Sequence, residues 1–355
     1  MPICPALSRR SICQTLLPAA LALAMTFSLQ PRPAGACTRV LWNDQPGVMM
    51  TGRTMDWAES TQPALWVMPR GMTREGGVPD NPAKWTSKYG SVVTSVYDLG
   101  AADGVNEKGL AGHMLFLKAT DFGPRDPAKP GLLAGLWVQY LLDNYATVAE
   151  AVEAMKKIQP VMQEARGFQS TVHVAVEDAG GDSAIFEYIG GKLTVHHGKQ
   201  YTVTTNDPPY DQQLELLKKY DFRNPNSMTP LPGNVNPMDR FVRATYFRSL
   251  LRKPAGEREG AAALMSIVRN VSVPFDAPYT NDPRFSVYNT EYRTLSDLAN
   301  GVYFWEYTRS PNVLWVRTKN FRFDAGSPVL RLDPTQVALV GDVTARFQPV
   351  PKAPF

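Results

Sequence analysis

The chain has three cysteines, Cys4, Cys13 and Cys37, and only Cys37 lies beyond residue 36. It follows Ala34-Gly35-Ala36, the small-residue pattern at which secretory signals are cut. Cleavage after Ala36 makes Cys37 the first residue of the mature chain and gives it two reactive groups, a thiol and a free α-amine with a reference pKa of about 7.7 to 8.0. An amine in that range can act as a general base near neutral pH, so nucleophile and base can share one residue and need no histidine.

A guanidinium and a carboxylate follow in Gly52-Arg53-Thr54-Met55-Asp56-Trp57. Close to Cys37, Arg53 would lower the pKa values of thiol and amine, and Asp56 could orient the amine by hydrogen bonding. On composition alone, a surface ion pair between the two is the plainer reading. The four histidines are His113, His173, His196 and His197. His173 lies in an alternating strand pattern and the His196-His197 pair at a strand end, positions that read as packing or solvent-facing. With no second mature cysteine and no Cys/His/carboxylate cluster at ligand spacing, neither a metal nor a cofactor is expected. The G-x-S-x-G nucleophile elbow is absent.

The elements that position these groups begin after residue 36. Residues 1–36 read as a cleaved secretory signal, with Arg9 and Arg10 before an apolar run from Thr15 to Leu29. That run is too short to span a bilayer, so no stable membrane anchor is expected. Ser8-Arg9-Arg10 loosely resembles a twin-arginine signal. Removing the segment takes three arginines from a formal net charge of +4 and leaves +1, a balance that gives no reason to expect nucleic acid or an anionic membrane as partner. With one cysteine the mature chain has no internal disulfide and depends on its core. A lipid-anchored or non-catalytic binding protein is the alternative reading of Cys37, but a lipobox wants an aliphatic residue where Ala34 stands.

Residues 37–355 show no repeat, low-complexity stretch or domain boundary. Short strands are expected at Thr38–Trp42, Val48–Thr51, Leu65–Met68, Ser91–Val96 and Gly109–Leu117, the last preceded by a turn-rich Asp103-Gly104-Val105-Asn106. Helices are expected at Gly131–Leu142 and at Thr147–Ile158, where Thr147 and Glu150 form a capping pair. Strands return at Ser170–Val176, Ala184–Tyr188, Lys192–His196 and Tyr201–Thr205. Helices follow at Pro209–Tyr220, Arg240–Leu251 and Ala261–Val268, and strands at Arg293–Ala299, Val302–Tyr307 and Val313–Arg317. Runs of strands alternating with runs of helices argue for layered α+β packing. The Pro-, Asn- and Gly-rich stretch from Phe222 to Asp239 reads as a lid or rim.

Taken together, the N-terminal Cys37-Thr38, the GRTMDW segment, Gly104-Val-Asn-Glu-Lys-Gly-Leu110, Thr204-Thr-Asn-Asp207 and the Leu231–Tyr246 segment LPGNVNPMDRFVRATY resemble the choloylglycine hydrolases and penicillin V acylases. The resemblance implies a four-layer αββα N-terminal-nucleophile hydrolase and a cysteine amidase acting on a linear N-acyl amide: penicillin V, an N-acyl homoserine lactone or a conjugated bile salt. Carried over residue by residue, Cys37 is the nucleophile, Arg53 and Asp56 flank it, Asn206 is the oxyanion donor and Arg240 the second active-site arginine. Phe116 stands where the family supplies a backbone oxyanion donor from Asn or Tyr. Asn270, in Asn-Val-Ser, is a further donor or substrate contact, and Asn234 and Asp239 depart from the family's Asp and Ser. Trp57, Phe116 and Trp137 are expected to wall an acyl pocket. The resemblance also implies a homotetramer, a small-molecule substrate as sole partner, and a periplasmic or secreted location in a Gram-negative bacterium.

Overall fold

The computed structural model describes residues 37–278, 288–310 and 312–355; the expected signal segment lies outside the described residues. Sixteen strands build two large sheets. The first six are β1 (Thr38–Trp42), β2 (Met50–Trp57), β3 (Leu65–Met68), β4 (Ser91–Val96), β5 (Gly100–Asn106) and β6 (Ala111–Phe116). Next come β7 (Val172–Glu177), β8 (Ser183–Ile189), β9 (Lys192–His197) and β10 (Val203–Thr205). The last are β11 (Asn289–Asp297), β12 (Val302–Tyr307), β13 (Val313–Arg317), β14 (Val329–Leu332), β15 (Gly341–Asp342) and β16 (Gln348–Val350). One sheet has the order β10-β1-β2-β11-β12-β13-β15 and the other β9-β8-β7-β6-β5-β4-β3-β14-β16.

Three apolar clusters mark three interfaces between layers. Helices α1 (Trp137–Asn144) and α2 (Val148–Met155) pack with Val138, Leu142 and Val152 against the nine-stranded sheet at Val174, Val176 and Phe186. Helices α4 (Pro237–Ser249) and α5 (Glu257–Asn270) cover the seven-stranded sheet, with α3 (Tyr210–Leu217) beside α4. Between the sheets lie Met55, Leu65, Val92, Leu115, Tyr292 and Trp305. The layers run helix, sheet, sheet, helix, the α+β sandwich expected.

A glycine sets how closely one helix approaches its sheet. A Cβ on Gly52 would sit 2.8 Å from Val268 Cγ2 of α5, so glycine lets that helix seat on β2. The Thr147–Glu150 capping box is present at the start of α2. Helix α4 begins before the expected Arg240, because Asn236 accepts a hydrogen bond from the Asp239 N–H and Pro237 occupies its first turn.

Two expectations need correction. Gly131–Leu133 is a strand paired with Gln159–Val161, and the helix begins at Trp137. Asp103–Asn106 is the interior of β5 rather than a turn, since His113, Tyr303 and the carbonyls of Leu142 and Tyr145 satisfy its polar side chains. Of the Phe222–Asp239 stretch read as a lid or rim, Phe222–Asn236 is irregular and mostly exposed, while Pro237–Asp239 forms the first turn of α4.

Candidate active site

Strand register assembles the site. Thr38 stands opposite Thr205 on one side and Thr54 on the other. One residue further along, the same ladders bring Cys37 opposite Asn206 and Met55. The main-chain nitrogen of Cys37 donates to Asn206 Oδ1. Its Sγ lies 4.0 Å from Met55 Sδ, and the residue is 4% exposed.

Side-chain alternation along β2 then sorts GRTMDW onto two faces. Arg53, Met55 and Trp57 point toward the facing sheet, while Thr54 and Asp56 point toward the helices. Arg53 Nη2 donates to Cys37 Sγ at 3.0 Å, and Nη1 donates to the carbonyls of Ala102 at 2.8 Å and Met114 at 3.0 Å. The guanidinium is therefore wedged where β5 and β6 part, just beyond their last paired residues, Asp103 and His113. Burial opposes its charge, but Cys37, Tyr292, Asp103 and Asp56 act more strongly together and raise its pKa. The guanidinium thus sets a fixed positive charge against the sulfur.

Asp56 is equally buried and does not pair with Arg53. Its Oδ2 accepts from Arg240 Nη1 and Thr54 Oγ1, both at 2.9 Å, and its Oδ1 accepts from Thr290 Oγ1. Burial lifts the Asp56 pKa, against the lowering influence of Arg240, Thr290 and Thr54. Arg240 Nη1 also donates to Thr38 Oγ1 at 2.7 Å and Nε to the Val235 carbonyl at 2.9 Å, while Nη2 is buried with no hydrogen-bond partner among the described residues. The surface ion pair that composition allowed for Arg53 and Asp56 is ruled out: the residues are fully buried and bonded elsewhere, on opposite faces of one strand.

Asn206 Nδ2 donates to the Phe116 carbonyl at 2.7 Å, and its second hydrogen is uncommitted in that bond. The Leu117 N–H bonds Thr171 in the neighbouring segment, so by antiparallel alternation the N–H and C=O of Phe116 both face away from β7, toward Asn206. One side-chain donor and one backbone donor thus lie on the same side of β6.

An apolar cavity of about 130 Å³ opens over Cys37, walled by Met55, Trp57, Met114, Phe116, Phe168 and Val172. Trp57 packs on Phe168 at 5.3 Å and Phe116 at 6.3 Å between ring centroids. Its Nε1 donates to Tyr97 Oη at 2.9 Å. Phe168 belongs to a short hairpin whose tip, Arg166-Gly167, has positive φ at both residues. Arg166 bonds Glu59 at 3.1 Å and covers the Tyr97 ring.

Two expected participants lie elsewhere. Asn270, exposed at the end of α5, accepts from Arg243 Nε at 3.3 Å and lines no part of this cavity. Trp137 is core, packed against Phe122, Phe186 and Tyr188. At the departures before Arg240, the Asn234 N–H donates to Asp239 Oδ2, which folds the loop so that the Val235 carbonyl reaches Arg240. Sequence reasoning missed Met55 and Thr290. The period of two in β2 could have found Met55, but Thr290 comes from 234 residues away and has no local signal. Among the described residues no group of three or more His, Cys, Asp or Glu side chains could hold a metal ion.

The model of linear amide C–N hydrolases of the choloylglycine hydrolase family matches residues 37–331. The chain belongs to that family. It is 38% identical to a penicillin V acylase of Pectobacterium atrosepticum over 343 residues, 88% of this chain and 90% of that protein. It is 29% identical to a bile salt hydrolase/transferase of Bifidobacterium longum over 59% of this chain and 73% of the relative. Among solved structures, the penicillin V acylase of Agrobacterium tumefaciens superposes with a TM-score of 0.81 at 38% identity, covering 89% of this chain and 98% of the other. The protein is therefore an enzyme, an amidase of the linear C–N hydrolase type. As a choloylglycine hydrolase family member it acts on a small-molecule amide.

Proposed function

We propose that the mature enzyme begins at Cys37 and opens N-acyl amides whose acyl part is apolar, with Cys37 as nucleophile and its own α-amine as base. The observation that carries this reading is the sulfur of Cys37 at the floor of an apolar cavity, against Arg53, with Asn206 holding the main-chain nitrogen.

In the proposed sequence, the α-amine takes the thiol proton and Sγ attacks the amide carbonyl carbon. The negative oxygen of the tetrahedral intermediate is met by Asn206 Nδ2 and the Phe116 N–H. The C–N bond breaks as the ammonium returns its proton to the leaving nitrogen. Water then attacks the thioester, and the acid departs as the thiol is restored. Asp56 and Arg240 tie Thr38 to the helix layer and fix the residue next to the nucleophile.

A cavity of about 130 Å³ is close to the roughly 150 Å³ that accommodates benzene. Its size favours an aryl or an extended aliphatic acyl group, as in penicillin V or an N-acyl homoserine lactone, over the fused rings of a conjugated bile salt. The signal-like residues 1–36 support export to the periplasm or beyond in a Gram-negative bacterium, and the family supports a homotetramer.

Amine release measured from penicillin V, N-acyl homoserine lactones and conjugated bile salts, with wild type and Cys37→Ala, tests the activity. Mass spectrometry of the exported protein tests the start point. A diacylglyceryl adduct on Cys37, or residues retained before it, would sink the N-terminal assignment, whereas activity that survives Cys37→Ala would sink the nucleophile.

A further inference from the structure

The donor of Asn206 is useful only if its main chain is held still, and the segment Thr205–Pro208 that carries it has just left strand β10. One side chain outside the cavity grips that segment. Gln213, fully buried in α3, accepts the Thr205 N–H at 3.1 Å and the Thr205 hydroxyl at 3.2 Å through Oε1. Its Nε2 faces three carbonyls, those of Thr205 at 3.2 Å, Asn206 at 3.4 Å and Pro208 at 2.7 Å. The amide orientation follows from its partners, because an N–H can only donate and a carbonyl can only accept.

Asn206 is fastened from the other side by shared neighbours. Its Nδ2 holds the Phe116 carbonyl at 2.7 Å, and Asp207 Oδ1 accepts the Lys118 N–H at 3.0 Å. The end of β6 and the turn after β10 are thus laced to each other. Gln213 itself lines no part of the cavity.

We propose that Gln213 is a positioning residue for the oxyanion site: one carboxamide fixes the backbone on both sides of Asn206 and so sets where its donor points. The inference rests on the reading of Asn206 as an oxyanion donor. Five backbone and hydroxyl contacts converge on this amide, four of them buried, more than a tie holding only α3 requires. A donor moved by about 1 Å can cost on the order of 100-fold in rate, whereas losing the donor outright costs about 100- to 1000-fold.

The test is a double-mutant cycle on Asn206→Ala and Gln213→Leu, read on the panel amide that wild type opens fastest. Asn206→Ala alone should lower kcat/KM by about 100- to 1000-fold. Gln213→Leu alone should lower it by roughly 10- to 100-fold, with KM within about two-fold, because the cavity wall is untouched. The double variant should be no slower than Asn206→Ala, since a positioning residue has nothing left to position. Multiplicative losses in the double variant, or an unchanged kcat in Gln213→Leu, would overturn the role of Gln213 while leaving Asn206 in place. Full activity in Asn206→Ala would instead overturn the reading on which it rests. Should Gln213→Leu fail to fold, Gln213→Glu, which keeps the acceptor for Thr205 and removes the donor to Pro208, is carried through the same cycle with the same expected and overturning results.

Discussion

Two buried polar clusters lie between the same two sheets and are built differently. In one, Glu177 accepts from Arg39 Nε at 3.0 Å and bonds His113 Nε2 at 2.7 Å, while His113 Nδ1 meets Asp103 at 2.6 Å and Asp103 receives the Tyr303 hydroxyl at 2.8 Å. Charges alternate along that chain and it borders no described cavity. Around Cys37 the bonding is unfinished: Asn206 Nδ2 spends one hydrogen on the Phe116 carbonyl and keeps the other, and the Phe116 N–H faces away from β7. The first cluster is closed upon itself and can only stabilise. The second keeps donors in reserve beside an apolar space, which is what a substrate carbonyl needs.

Breaking each cluster separately should have opposite consequences. Cys37→Ala should abolish amide release with little change in melting temperature, since it trims one atom beside a cavity; a large drop in Tm would mean that the sulfur is structural. Glu177→Gln should do the reverse, destabilising the fold by about 3 to 5 kcal/mol by stranding Arg39 and the His113 imidazolium. Chemical denaturation would show it, and a loss below 1 kcal/mol would contradict the closed-cluster description.

The closed cluster should also dominate the pH dependence of stability. His113 suffers desolvation, yet Glu177 and Asp103 hold its pKa up at about 9, so its contribution is complete below the ordinary value of 6.5 and fades as pH rises toward 9. Glu177 is likewise desolvated, yet Arg39 and His113 bring it down to about 2, so its contribution is present above 4.5 and fades as pH falls toward 2. Melting temperature should therefore be highest between about 4.5 and 6.5, and His113→Gln should lose the alkaline decline. If that variant keeps the same decline, another group governs it. The smallest effect belongs to the rim: Arg166→Gln, which breaks a half-exposed pair with Glu59, should change stability by at most about 1 kcal/mol and leave kcat/KM within a few-fold.

The clusters also differed in how far the sequence revealed them. The sequence predicts a strand only over Val48–Thr51, so the alternation that separates Arg53 from Asp56 shows only once β2 is seen to run on to Trp57. Cys37 was conspicuous as the only thiol after a cleavage pattern, whereas Asn206 and Arg240 emerged only through resemblance, since nothing local distinguishes them from other asparagines and arginines. The closed cluster was invisible. Gly100–Asn106 has the composition of a turn and becomes a strand only because His113, Tyr303 and the end of α1 supply partners 10 to 200 residues away. Helices declared themselves through local signals, as at Thr147 and Glu150, while the strand at Gly131–Leu133 depended on a pairing that its own residues do not encode.

Phe116 joins the two parts of the site in a way that bears on how the enzyme can change. Its carbonyl is held by Asn206, and its ring lies against Trp57 on the cavity wall. Any residue but proline brings the same main-chain groups to this position, so the polar frame is inherited unaltered while the shape of the wall is free to vary. Position 116 is thus a place where selection, or a mutant library, can explore new acyl groups without first giving up the chemistry.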